Sequence, residues 1–239
     1  MFIDPLYLIV AAPAMLFAAY ASYLTRSRFN KYSQIATQGH LTGAQAAHRL
    51  LEQNGIHDVT IEPTEGFLSD HYDPAAKALR LSPQVYGSNS MAAIGVACHE
   101  AGHAIQHAEK YLPLHLRSTL VPVTMLGSKL SMPILIVGML LSGGARTGIG
   151  YPLMLAGIGL FALTVIFSLI TLPVEYDASA RAKRLMVSSG IVSPSESEDA
   201  GKVLDAAFLT YLAAAFSAVL TLLYYLYRAG LIGGGSRRD

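Results

Sequence analysis

"ACHEAGHAIQHAEKY", residues 97–111, holds three histidines at a spacing of four, His99, His103 and His107, with Glu100 directly after the first. That spacing is close to one helical turn, so on a helix the first two imidazoles stand on one face, one above the other. Such a face is either a pair of metal ligands or the polar stripe of an ordinary helix, and the flanking sequence bears on the choice. Ala97, Ala101, Gly102 and Ala104 keep the helix slim, as close packing around a metal needs, despite the cost of glycine in a helix. Upstream, "YGSNSMAAIGVA" (86–97) offers Ser88 or Ser90 as N-cap, and Pro113 sets the latest end. Met91 to Cys98 is only eight largely apolar residues before the charges begin, too short to cross a bilayer. The helix is expected in a module outside the hydrocarbon.

Around that module the chain reads as a membrane protein. Of its 239 residues 52% are hydrophobic and only 14% charged, which is unusual for a soluble domain. Net charge is +1 with no long basic run, so the electrostatic footprint of a nucleic-acid binder is missing. The single cysteine, Cys98, cannot form an internal disulfide and is expected to fill core space. Residues 1–25 are read as a transmembrane anchor, because Pro5 to Thr25 is twenty-one residues without a charge, enough to cross roughly 30 Å at about 1.5 Å per residue. "AYAS" around Ala21 loosely mimics a leader cleavage site, but Asp4 stands where a leader is cationic and the apolar run exceeds a leader's.

Residues 26–118 change character. "LTGAQAAHRLLEQNGI" has Thr42 and Gln45 as a capping box and closes on Asn54 and Gly55, so a short helix is expected. "DVTIE" alternates, and "GFLSDHYDPAAKALRLSP" reads as two strands, the first over 67–72, joined by a turn at Asp73 and Pro74. Residues 119–172 are expected to form a transmembrane hairpin turning at "SGGARTG", with Lys129 interrupting its first arm and left unexplained. Residues 173–205 begin with a helix starting at Pro173, 206–228 make a fourth crossing rich in tyrosine, and 229–239, with "GGGSRRD", form a flexible tail. Segments 26–117 and 173–205 then share one side of the membrane and hold twelve of the seventeen Lys and Arg, which the positive-inside rule assigns to the cytoplasm.

His99, Glu100 and His103 spell HExxH, a spacing that lets both imidazoles reach one zinc ion. A catalytic zinc keeps one position open for water and lowers its pKa toward about 7, and a neighbouring carboxylate, here Glu100, takes the proton. Two histidines leave the ligand set incomplete. His107 lies about 12 Å from His99 along a straight helix, and "AIQ" contains no glycine to break it, so His107 is expected to be a polar residue further along that face. Glu175, in "TLPVEYDASARAKRL" (171–185), is the expected third ligand, since the hairpin returns it to the membrane face of HEAGH. Otherwise it merely favours a helix N-terminus electrostatically. Asp177 or Ser179 could orient a ligand histidine.

With "LSDHYDP", "LSPQVY", "HEAGHAIQH" and "TLPVEYDASARA" together, nearly the whole chain resembles the YugP-type neutral zinc metallopeptidases of bacterial membranes. More distantly it resembles the HtpX and CAAX-prenyl-protease group, membrane gluzincins with HExxH and a later Glu on helices. The resemblance implies a cytoplasm-facing peptidase with His99, His103 and Glu175 on one Zn2+ and Glu100 as base. One position departs: the gluzincin aspartate four residues after the ligand Glu is Ser179 here, and Asp177, two residues on, points from a different face.

The expected fold is thus mainly α, with about four transmembrane helices and a small α+β zincin-like module. The expected function is hydrolysis of membrane or membrane-proximal polypeptides, with the lipid bilayer as the other partner. "SDHYDP" is either the strand edging the cleft, with His71, Tyr72 or, more remotely, Tyr211 donating to the oxyanion, or a plain solvated turn. An intramembrane metalloprotease would carry HExxH within a spanning helix and take an aspartate from elsewhere, as in "VLDAA" (203–207), which lacks the glycine of that motif. A non-enzymatic zinc scaffold or chaperone-like protein would close its metal with four ligands and have no use for Glu100; a transporter would give the function to Lys129.

Overall fold

The computed structural model describes residues 4–143 and 148–233. The centre of the expected hairpin turn, 144–147, and the end of the tail, 234–239, lie outside the described residues. In chain order the elements are α1 (Pro5–Tyr32), α2 (Gly43–Gln53), β1 (Thr60–Pro63), β2 (His71–Asp73), β3 (Ala78–Leu81), α3 (Pro83–Tyr86), α4 (Met91–Ala108), α5 (Leu112–Ser142), α6 (Gly150–Ser188) and α7 (Pro194–Arg228). They divide into two compact units, one of Met1–Ala19, Leu116–Thr171 and Tyr211–Asp239, the other of Tyr20–His115 and Leu172–Thr210. The protein is mainly α, with four helices long and apolar enough to cross a membrane (α1, α5, α6 and α7) and a small three-stranded sheet.

In the first unit, few side chains are buried and large apolar ones such as Ile9, Leu16 and Leu140 are exposed, as lipid-facing helices require. The Thr124 and Ser168 hydroxyls return to the carbonyl one turn back, of Leu120 and Thr164, at 2.7 and 2.9 Å, which satisfies these two polar groups within their own helices. α5 and α6 approach closely: a Cβ on Gly138 would stand 2.3 Å from the Met154 nitrogen. Lys129 is exposed on α5.

The second unit is built around α4, buried on nearly every side. Ser90 caps it, accepting the Ala93 N–H at 3.2 Å, and it ends at Ala108, before Pro113. Against it pack Leu50 of α2, Leu79 and Leu81 of β3, and Val85 of α3, all fully buried, with Cys98 in the same core. α2 starts on the expected capping box, with Thr42 and Gln45 bonded reciprocally. Along β3, Leu79 and Leu81 are buried and Arg80 half-buried, the alternation expected of a half-covered strand. The strand order is β1-β3-β2, with β1 parallel and β2 antiparallel to the central β3. β2 is therefore an edge.

Two local expectations differ from the structure. The strand expected over 67–72 is the shorter 71–73. Asp70 accepts the Ser82 N–H at 2.7 Å and the Ser82 hydroxyl at 3.1 Å, while Phe67 meets Phe29 edge to face, so side chains hold residues 67–70 out of the ladder. The turn follows Asp73, whose carboxylate accepts from the Ala75 and Ala76 amides, and Lys77 takes the positive φ that closes it. The helix expected to start at Pro173 instead runs through it from Gly150. Continuing a helix past one proline loses a single backbone hydrogen bond, whereas ending it at the apolar level would strip several. α7 likewise begins at Pro194, where Ser193 and Glu196 form a second reciprocal cap.

Candidate metal centre

The requirement for closeness between α4 and the end of α6 is written in Gly102: a Cβ there would stand 2.8 Å from the Ala178 carbonyl oxygen, a backbone atom that cannot give way. Across this contact His99 and His103 meet Glu175. His99 Nε2 lies 3.2 Å and His103 Nε2 3.5 Å from the same oxygen, Glu175 Oε2. All three potential ligand atoms lie within 4.8 Å of one another. The two rings stand nearly perpendicular, 83° apart.

The partner of the outer nitrogen fixes which nitrogen of His103 carries hydrogen. His99 Nδ1 lies 3.1 Å from the Ser179 hydroxyl and His103 Nδ1 3.0 Å from Gln106 Oε1. The Gln106 amide donates to the Val174 carbonyl at 2.9 Å and to Asp177 Oδ2 at 2.7 Å. Both partners are acceptors, so the amide nitrogen faces them and its oxygen faces His103. His103 Nδ1 must then carry hydrogen. A neutral ring so oriented turns a bare Nε2 lone pair toward an ionised carboxylate in a buried place, which is repulsive unless a cation lies between, either a proton or a metal ion. A proton shared in an ordinary N–H···O bond brings the atoms to about 2.9 Å. Tetrahedral zinc with bonds of about 2.0–2.1 Å leaves its ligand atoms about 3.4 Å apart. Separations of 3.2 and 3.5 Å are compatible with an ion between the three groups, and two imidazoles with a carboxylate are a zinc donor set. The residues fit the ion.

Glu100 follows His99 but stands outside this trio. Its Oε2 accepts the Tyr72 N–H at 3.0 Å, which ties the edge strand β2 to α4. Burial pushes the Glu100 carboxyl up to about 7, with the Glu175 and Asp70 charges adding to the rise and His99 and the Tyr72 amide opposing it. A cation at the trio would draw it down again.

The remaining predicted residues have other partners. His107 Nδ1 lies 2.8 Å from the Tyr72 hydroxyl, a polar contact further along α4, and burial pushes that phenol up to about 12. His71 is exposed, with Nδ1 2.8 Å from the Ser69 carbonyl oxygen. Tyr211 belongs to the first unit. Asp177 and Ser179 each contact the trio's surroundings by different routes. Ser179 meets His99 directly, at the position four beyond Glu175. Asp177 reaches His103 only through Gln106, and is itself held by Arg181, which also bonds Glu109 at 2.6 Å.

Residues 7–230 match the model of a family described as "Putative neutral zinc metallopeptidase". The chain belongs to this family. This neutral zinc metallopeptidase is 43% identical over 221 residues to the "Putative membrane protease YugP" of Bacillus subtilis (strain 168), an alignment covering 92% of the chain and 94% of that relative. No solved structure matches it. Zinc is the family's metal, and His99, His103 and Glu175 are a group able to hold one ion.

Sequence reasoning passed over Gln106 and Asp70. For Gln106 a signal existed, since a side chain three residues beyond His103 lies on the same helical face; for Asp70, whose partner Ser82 is twelve residues away on another element, there was none. In the metallopeptidase, Gln106→Leu is expected to weaken zinc binding about 10–100-fold, the usual effect of removing the partner that orients a ligand histidine. Competition against a chelator of known affinity measures this, and unchanged affinity with an unchanged melting temperature would remove Gln106 from the metal site.

Proposed function

We propose that the chain is a multi-pass membrane endopeptidase of gluzincin type, with His99, His103 and Glu175 holding one zinc ion and Glu100 serving as general base. The observation that carries this reading is the convergence of His99, His103 and Glu175, whose potential ligand atoms lie within 4.8 Å of one another, with Gln106 turning its amide oxygen to the outer nitrogen of His103. Bound zinc supplies Lewis acidity, lowering the pKa of water and polarising a peptide carbonyl. Glu100, beside the trio and free of it, takes a proton at its carboxylate and later delivers it to the leaving amine. The Tyr72 amide keeps that carboxylate oriented. Ser179 and Gln106 hold the two imidazoles in register.

Because β2 is an edge and its Tyr72 amide is bonded to Glu100, an extended polypeptide lying along β2 would pass beside the base. The substrates proposed are membrane or membrane-proximal polypeptides. In the bilayer we put residues 1–25, 119–172 and 206–228; 26–118 and 173–205 form the catalytic module on the cytoplasmic side, where twelve of the seventeen Lys and Arg would lie. Two observations oppose the rival readings. α4, which carries HExxH, is not among the four helices long and apolar enough to span, which disfavours cleavage within the bilayer. No fourth His, Cys, Asp or Glu among the described residues joins the trio, as a closed structural site would need.

The test uses purified full-length protein in detergent with an unfolded protein as substrate. Chelation is expected to abolish cleavage and one equivalent of zinc to restore it. Cleavage that continues undiminished after the metal has been removed would sink the proposal.

A further inference from the structure

Apart from the metal centre, the second unit carries a groove of about 750 Å³ between α1, α6 and α7. Four cations line it, Arg28, Lys183, Arg184 and Lys202, against one acid, Asp205. Lys183 pairs with Asp205 and Lys202 with Asp199. That leaves Arg28 and Arg184 with no acidic partner among the described residues. The facing walls are apolar: Leu24 from α1, Phe208 and Leu209 from α7, and Tyr176 packed edge to face on Phe208 at 5.8 Å. Ser179 also lines the groove, but its hydroxyl is engaged with His99, so anion binding falls to the basic side chains.

Each of these helices changes character here. α1 is uncharged from Pro5 to Thr25 and then carries Arg26 and Arg28; α6 is uncharged from Thr147 to Val174 and then charged; α7 is charged as far as Asp205 and uncharged from Ala206 to Tyr227. Tyr23 and Tyr176 are 68% and 66% exposed beside these boundaries, where interfacial tyrosines belong. A cationic recess with an apolar wall, opening where three helices leave the hydrocarbon, has the chemistry of one ligand class. We propose that the groove binds an anionic phospholipid, its phosphate held by Arg28 and Arg184 and an acyl chain lying along Leu24, Phe208 and Leu209. Two guanidinium forks match phosphate oxygens, the excess positive charge selects an anionic over a zwitterionic headgroup, and the apolar wall would be left wet by free phosphate. The proposal goes beyond the peptidase reading and does not depend on it.

The experiment uses full-length protein in neutral detergent with three probes: short-chain phosphatidylglycerol, phosphatidylcholine of the same chain length, and inorganic phosphate. Native mass spectrometry counts bound molecules and titration gives affinities. One phosphatidylglycerol per chain is expected, at least about tenfold tighter than phosphatidylcholine and not displaced by equimolar phosphate. Arg28→Gln with Arg184→Gln is expected to weaken it about thirtyfold, about fivefold per cation. Arg28→Lys with Arg184→Lys, which keeps the charges but not the forks, should lose less affinity than the double Gln variant, and Arg26→Gln, on the same helix but outside the groove, should change it less than about twofold. The proposal is overturned by equal binding of the two lipids, by an equal loss in Arg26→Gln, by displacement with phosphate alone, or by an acidic peptide competing as well as the lipid. If the double Gln variant does not fold, the lipid comparison on the unaltered protein and the single Arg184→Gln variant decide the matter.

Discussion

Replacing Glu100 with Gln is expected to slow peptide-bond hydrolysis about a thousandfold, in kcat rather than KM, with zinc still bound. Gln has the same shape, and its amide oxygen can still accept the Tyr72 N–H that Glu100 accepts at 3.0 Å. The edge strand therefore stays attached to α4 and substrate binding is preserved. What disappears is a carboxylate able to take a proton beside the metal site. Since Glu100 lies outside the ligand trio, metal content separates the explanations. A Gln variant that retains zinc and cleaves within a few-fold of the unaltered protein would remove Glu100 from the chemistry, and one that loses zinc would make it a ligand instead.

Glu175→Ala is expected to lower zinc affinity at least about a thousandfold, beyond the 10–100-fold cost of losing an orienting partner. Glu175 is 1% exposed and supplies the one negative charge of the trio. Without it two neutral imidazoles remain, and two nitrogen donors do not make a zinc site. Elemental analysis after dialysis against buffered zinc measures the loss. Glu175→Gln, which keeps the volume and removes the charge, guards against a simple packing defect. If both variants keep one zinc per chain, the third ligand is elsewhere and the gluzincin arrangement fails with it.

Much of this fold and site is legible in the amino-acid sequence because it depends on near neighbours in the chain. The fourfold recurrence at His99 and His103 is a helix face, whatever surrounds it. Thr42 and Gln45 are three residues apart and close their own capping box. Leu79 and Leu81 alternate about Arg80 and so put one side of a strand inward. Long uncharged runs announce membrane helices through composition alone. Where local rules mislead, a distant side chain intervenes: Asp70 bonds Ser82 and keeps 67–70 out of the strand. At Pro173 the local stop signal is weaker than the need to keep backbone groups paired in an apolar helix.

Residues that share a helical turn or a strand are related by fixed rise and rotation, so their types and spacing suffice to predict the HExxH face, the apolar spans and the likeness to zinc metallopeptidases. Partners seventy or eighty positions apart obey no such rule. That Gln106 bridges His103 to Asp177, that Ser179 reaches His99, and that Arg28 and Arg184 line one groove follow from how α1, α4, α6 and α7 pack. That register rests on close approaches such as Gly102 on the Ala178 carbonyl, where one missing methyl group lets two helices meet.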